Sequence, residues 1–256
     1  MEPIREGLWR LNDEADCTAY LVVGSSRAYM IDTGMGRVPL MPQIRSVTDL
    51  PVELLLTHAH PDHFAAAGEF EHVWLCEDDR EILAGSEPLC RRFGVPPLPV
   101  ERVRFFRDGD IFDADDIRLE ALQLAGHTPG SCTFGVPAWK ELFTGDAVGS
   151  GDIVLMTLPG ASSVSAYCAS LERFVRRAAA YADTEWRGGH FGQAGEPGTP
   201  AYHPPCMRVA LDMIALCKAL LDGHLTGEPV EEPNAPGGHA LRARWGTAGM
   251  VYVAVE

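Results

Sequence analysis

The run Glu53-Leu54-Leu55-Leu56-Thr57 has the length and character of a buried strand, and it ends directly in His58-Ala59-His60-Pro61-Asp62-His63. Four side chains able to bind a metal therefore stand within six residues, immediately after an apolar strand. Side chains two apart on an extended backbone point to one side, so His58 and His60 can share one ion. Asp62 and His63 then turn toward a neighbouring position and a second ion. Neutral imidazole and carboxylate are donors that zinc accepts. A fold that uses this segment must bring further donors to the end of that strand.

Three later residues stand in comparable places. His127 lies in GHTPGS after IRLEALQLA, Asp146 in FTGDA after KELF, and His190 in WRGGH after a short strand-like run. Each ends an apolar run in a glycine-containing loop, which allows all three to converge on one sheet edge. Singly, each reads as an ordinary loop residue; the ordered set of four segments carries the weight.

The rest of the chain supplies strands first and helices later. GLWRL (7–11), TAYLVV (18–23) and RAYMID (27–32) alternate in the manner of strands, with a turn at Gly24-Ser25-Ser26. Residues 38–47 are expected to form a helix, followed by a strand at 72–76 and a polar helix at 77–84. The stretch 86–100 carries four prolines and is expected to be a loop, a candidate lid with Phe93 and Leu98. RVRFF, IFDAD, IRLEALQL, CTFGV and ELFTG follow as closely spaced strands. Helices are expected over 162–181, capped by Ser162 or Ser163, and over 205–221. A short strand near 184–187, a loop at 228–238, and the strands LRARW and MVYVAV complete the pattern.

A net charge of −15 excludes a phosphate-backbone partner, which needs a Lys/Arg surface, and disfavours anionic lipid. No apolar run reaches the roughly 20 residues of a membrane span. MEPIREGLWRLN has no apolar core, so no signal peptide is expected. Seven scattered cysteines without a CxxC pair suggest thiols in a reducing cytoplasm. A small-molecule substrate is the expected partner; oligomeric state is not legible.

The motifs Met30-Ile31-Asp32-Thr33-Gly34, THAHPDH, GHTPGS, FTGD and GGH together resemble those of the metallo-β-lactamase superfamily, over about residues 5–255. The resemblance implies an α+β fold: an αββα sandwich of two mixed sheets flanked by helices, with the metals at one edge. It implies one domain over 1–256, with 201–256 as a helix-plus-two-strand extension. His58, His60 and His127 would hold one ion and Asp62, His63 and His190 the other, with Asp146 bridging them and Asp32 buttressing the site from behind.

Two divalent ions, zinc first and iron or manganese next, would then make the chain a dinuclear hydrolase. A hydroxide held between ions about 4 Å apart would attack an ester, thioester or lactone carbonyl, with Asp62 orienting it or accepting its proton. Tyr167, Tyr202 and His203 are candidate donors to the substrate carbonyl. Glyoxalase-II-like thioesterases and acyl-homoserine-lactone lactonases share this ligand set. The segment 201–256 has Lys218 as its only lysine, however, which weighs against a glutathione thioester. Rival readings are a mononuclear-iron persulfide dioxygenase of the same superfamily and a non-catalytic binding module; a complete second ligand set weighs against both.

Overall fold

The computed structural model describes residues 1–13, 16–151 and 153–253. Its first sheet holds seven strands that neighbour one another in chain order. These are β1 (Glu2–Arg5), β2 (Leu8–Asn12), β3 (Thr18–Val23), β4 (Ala28–Ile31), β5 (Val52–Leu55), β6 (Val73–Cys76) and β7 (Val103–Phe106). β1 to β4 form an antiparallel meander, whereas β4 to β7 run parallel. Parallel neighbours need crossovers, and short helices supply them: α1 (Leu40–Arg45), α2 (Pro61–Phe64), α3 (Arg80–Ala84) and α4 (Glu87–Phe93). Leu40, Ile44, Phe64, Leu83 and Cys90 close the outer face of the sheet over Met30, Leu54 and Leu75. Covered on both faces, the middle strands are continuously apolar, which is why ELLLT reads as a buried strand.

β8 (Ile111–Asp113), β9 (Arg118–Gln123), β10 (Cys132–Val136) and β11 (Glu141–Gly145) form an antiparallel second sheet. After β12 (Ile153–Met156), β13 (Arg187–Gly188) joins that sheet parallel to β11. An aromatic layer fills the space between the two sheets. The Phe112 ring stands 5.5 Å from Phe106 and 5.9 Å from Phe134, both edge-on, the arrangement ring quadrupoles favour.

α5 (Val164–Arg177) and α6 (Met207–Leu221) cover the far side, packed on each other and on Leu122, Leu142 and Trp186. Ser163 caps α5, its hydroxyl accepting from Ala166 N. β14 (Glu228–Glu231), β15 (His239–Trp245) and β16 (Ala248–Tyr252) pair with β12 to make a third sheet of four strands beneath α6. The layers are helix, sheet, sheet, helix, as expected, but the second layer is divided into two hydrogen-bonded sheets.

Several local expectations are corrected. Residues 86–100 are not all loop: Glu87–Phe93 is helical, with Pro88 in its first turn, where no N–H is needed, and left-handed Gly94 (φ 69°) ending it. Residues 228–238 begin with a strand, tolerated at Pro229 because β14 lies at the sheet edge. The helix expected at 38–47 shortens to 40–45, and that at 77–84 opens with a 3-10 turn over Glu77–Asp79. The strand expected at 184–187 is Arg187–Gly188, with an isolated bridge from Glu185 to Cys206. α5 ends at Arg177 and tightens to a 3-10 turn over Ala178–Tyr181. β1 and β12 had no counterpart in the sequence reading, and the end of MVYVAV lies outside the described residues. Among the described residues no disulfide joins the cysteines.

Phe134 is fully buried at the centre of the aromatic layer. Phe134→Ala is expected to lower unfolding free energy by about 3–5 kcal/mol in denaturant titration, with the fold retained.

Candidate metal centre

The parallel strands β4 and β5 end side by side, and the site is built on that coincidence. Asp32 follows β4 in the left-handed region (φ 57°), a strained conformation for a residue with a side chain. Its carboxylate accepts from Thr57 N at 2.8 Å and Thr57 Oγ1 at 2.7 Å, just past β5, and lies 2.8 Å from His63 Nδ1. One buried carboxylate therefore ties two strand ends to the turn that follows. Pro61 starts that turn with φ already suited to it, and Asp62 and His63 swing away from His58 and His60.

Three of the imidazoles are oriented through Nδ1. His58 Nδ1 faces Thr57 Oγ1 (3.1 Å), His63 Nδ1 faces Asp32, and His127 Nδ1 faces the Leu155 carbonyl in β12. The Nε2 atoms of these three rings are left for the interior of the site. Asp146 and His190 come from the ends of β11 and β13. Ser150 links them, its hydroxyl donating to Asp146 Oδ1 and accepting from His190 N. Gly189 must lack a side chain here: a Cβ would come within 2.6 Å of Asp146 Oδ1 and His63 Cε1.

The seven residues singled out in the sequence converge in two groups. His58, His60 and His127 offer nitrogens within 4.8 Å of one another, with His60 Nδ1 2.9 Å from His127 Nε2. Beside them, Asp62 Oδ2 lies 3.6 Å from His63 Nε2 and 3.5 Å from His190 Nε2. Asp146 Oδ2 lies between the groups, 3.3 Å from His190, 3.7 Å from His63 and 3.9 Å from His127.

Charge follows the same division. Burial, reinforced by His127 and His63 nearby, holds His60 down to about 3 and so keeps it neutral. Burial and the neighbouring imidazoles likewise hold His58 well below its ordinary range. At His63 burial pushes the other way from its neighbours, and Asp32, Asp62 and Asp146 prevail, raising it. Asp62 and Asp146 resist the upward push of burial and stay ionised beside His63 and His190.

This donor set fits divalent metal ions. His58 Nε2 and His63 Nε2 are buried without a hydrogen-bond partner, an arrangement that is costly unless something else satisfies them. The carboxylates among them now draw protons onto imidazoles, and a cation would serve the same charges while releasing those protons.

Asp79, which the sequence reading passed over, joins the two histidine-bearing loops. It is fully buried, accepting from Ala59 N (2.8 Å) and Thr128 Oγ1 (2.8 Å) at Oδ2 and from Gly130 N (2.6 Å) at Oδ1. Burial pushes its carboxyl up to about 6 against those three donors, leaving it ionised at neutral pH. Its sequence signal, an aspartate among acidic residues after a strand, is indistinguishable from a solvated turn.

The candidate substrate residues divide differently. Tyr167 is buried, its hydroxyl donating to the Ala147 carbonyl at 2.6 Å, so it faces the core rather than a ligand. The ring packs where Gly126 has no side chain; a Cβ there would lie 2.1 Å from Tyr167 Cδ2. Tyr202 donates to Glu185 at 2.9 Å. His203 Nε2 lies beside the Gly151 backbone, next to residues of the cleft rim. The cleft over the histidines, of about 170 Å³, is walled by Leu89, Phe93, Ile153, Leu155 and Leu158. Phe93 thus belongs to the cleft wall, whereas Leu98 is in the core.

The profile of the Metallo-beta-lactamase superfamily matches residues 12–182, and the chain belongs to that superfamily. Among curated proteins it is similar to the acyl-coenzyme A thioesterase MBLAC2 of Gallus gallus, 30% identical over 187 residues, 61% of this chain and 65% of that protein. It is also similar to the hydroxyacylglutathione hydrolase GloC of Haemophilus influenzae, 34% identical over 135 residues, 49% of this chain and 63% of that one. The chain thus spans somewhat under two thirds of the length of these relatives. Among solved structures, TTHA1623 in a di-iron-bound form superposes with a TM-score of 0.59 at 27% identity, covering 75% of this chain and 100% of that one. BLEG-1 B3 metallo-beta-lactamase superposes at 0.58 and 22% identity, covering 73% and 95%, a likeness of fold alone.

Asp79→Ala strands three buried donors and is expected to cost about 3–5 kcal/mol of stability. Asp79→Asn, which keeps one acceptor oxygen, is expected to fall between it and the parent chain in denaturant unfolding.

Proposed function

We propose that this chain is a dinuclear metal-dependent hydrolase of a small carbonyl ester, with a thioester favoured over an oxygen ester or lactone. The observation that carries the reading is Asp146 Oδ2, placed within 3.9 Å of imidazole nitrogens from both groups, where one carboxylate oxygen can serve two ions. His58, His60 and His127 would hold one ion, and Asp62, His63 and His190 the other. When bound, such ions supply activation of water at neutral pH and polarisation of the carbonyl under attack.

The residues of the chain would supply position and proton handling. Asp32 and the Leu155 carbonyl would fix His63 and His127, so that the donors are set before any ion arrives. Asp62, ionised beside His63 and His190, would accept the proton of the attacking water at a carboxylate oxygen. Leu89, Phe93, Leu155 and Leu158 would seat an acyl chain and exclude bulk water. Residues 1–256 would act as one domain, because both the first sheet and β12 of the third contribute to the cleft. Support for a thioester comes from the names of the two curated relatives, a thioesterase and a hydroxyacylglutathione hydrolase. Zinc is the ion we favour; iron is the second reading, since TTHA1623 was solved with two irons. A reducing compartment such as the cytoplasm suits a chain with seven cysteines.

The test is a panel of acyl-coenzyme A, hydroxyacylglutathione, aryl-ester and lactone substrates given to protein with its metal retained. Thioester turnover is expected, with Asp62→Asn lowering kcat by roughly 10²-fold or more. Metal-loaded protein that hydrolyses none of the four classes would contradict the reading.

A further inference from the structure

The second group of donor atoms has a neighbour beyond the seven residues above. Cys17 Sγ lies 4.0 Å from Asp62 Oδ2, and the donor atoms of Cys17, Asp62 and His190 all lie within 4.8 Å of one another. The thiol is held there by its surroundings. Cys17 is 4% exposed, and its N–H donates to Asp13 Oδ1 at 2.9 Å. The adjoining residues are laced to the loop that carries His190: Thr18 N donates to the Gly189 carbonyl (2.7 Å) and Thr18 Oγ1 accepts from Phe191 N (2.9 Å). Asp16 Oδ1 accepts from Gly192 N at 2.8 Å.

An independent observation points into the same space. His63 Nε2, 1% exposed at its side chain and without a hydrogen-bond partner, is aimed at the same Asp62 oxygen from 3.6 Å. His190 Nε2 approaches it from 3.5 Å. With bonds of about 2.0–2.3 Å to N, O and S, neighbouring donors on one zinc ion stand roughly 3–4 Å apart, closer where more than four ligands crowd it. Separations of 3.5, 3.6 and 4.0 Å around Asp62 fall in that range.

We propose that Cys17 is a thiolate ligand of the ion held by Asp62, His63 and His190, making that position a mixed nitrogen, oxygen and sulfur site. The proposal rests on the dinuclear reading above. As the sulfur–metal bond forms, the S–H bond breaks and its proton leaves to solvent. A soft donor biases the position toward zinc or cobalt over manganese or magnesium.

Cobalt(II) substitution tests this without reference to turnover. The cobalt protein is expected to show visible d–d bands and a strong thiolate-to-cobalt charge-transfer band in the near ultraviolet. Cys17→Ser and Cys17→Ala are each expected to keep d–d bands and lose the charge-transfer band, while Cys206→Ser retains both. Visible d–d bands without charge transfer in the parent chain would overturn the proposal and leave the dinuclear reading standing. A charge-transfer band that survives both Cys17 substitutions would assign it to another thiol, with the same consequence. A parent chain that takes up no cobalt would overturn both readings.

Discussion

The bond between the Asp32 carboxylate and Thr57 is the constraint on which the rest of the site depends. Thr57 gives both its N–H and its hydroxyl to Asp32, and the same carboxylate orients His63. Release of this latch would free the ends of β4 and β5 and leave His63 unoriented. It would also strand a carboxylate in a place 2% exposed, which is expensive without partners. The left-handed backbone at Asp32 is tolerated because three groups over-determine its position.

Around that latch the chain gathers acid and base, the histidines after β5 buried and Asp62, Asp146 and His190 partly open to the cleft. Asp32, Asp62 and Asp146 face His58, His60, His63, His127 and His190, and the two sets only partly satisfy each other. His58 Nε2 and His63 Nε2 remain orphaned, while the carboxylates draw protons onto His63 and His190. Divalent cations would settle both imbalances at once, by taking lone pairs from the imidazole nitrogens and offsetting the charge of the carboxylates. The cleft above is lined both by these charged side chains and by the apolar Leu89, Phe93, Ile153, Leu155 and Leu158.

Much of this was legible in the amino-acid sequence, for identifiable reasons. The candidate metal donors follow strand ends, and strand ends are marked by an apolar run stopping at glycine, histidine or aspartate, as at His58, Asp146 and His190. Residues that act through long-range partners left no such mark. Asp79 looks like a surface acid until Ala59, Thr128 and Gly130 are seen to converge on it. Cys17 looks like one scattered thiol among seven until the hairpin after β2 is seen laced to the His190 loop. Tyr167 misled in the opposite sense: a helix tyrosine near the cleft in sequence terms spends its hydroxyl on a core carbonyl. The proline-rich stretch 86–100 misled because proline in a first turn starts a helix as readily as it prevents one.

Two groups of donors sharing Asp146 would hold two ions in each chain. Elemental analysis of protein purified without added metal, set against its concentration from amino-acid analysis, tests this most directly. About two ions of zinc or iron per chain is the predicted result, falling toward one when His190 is replaced by alanine. A parent chain that carries one ion or none, and gains no second when dialysed against zinc, would contradict it.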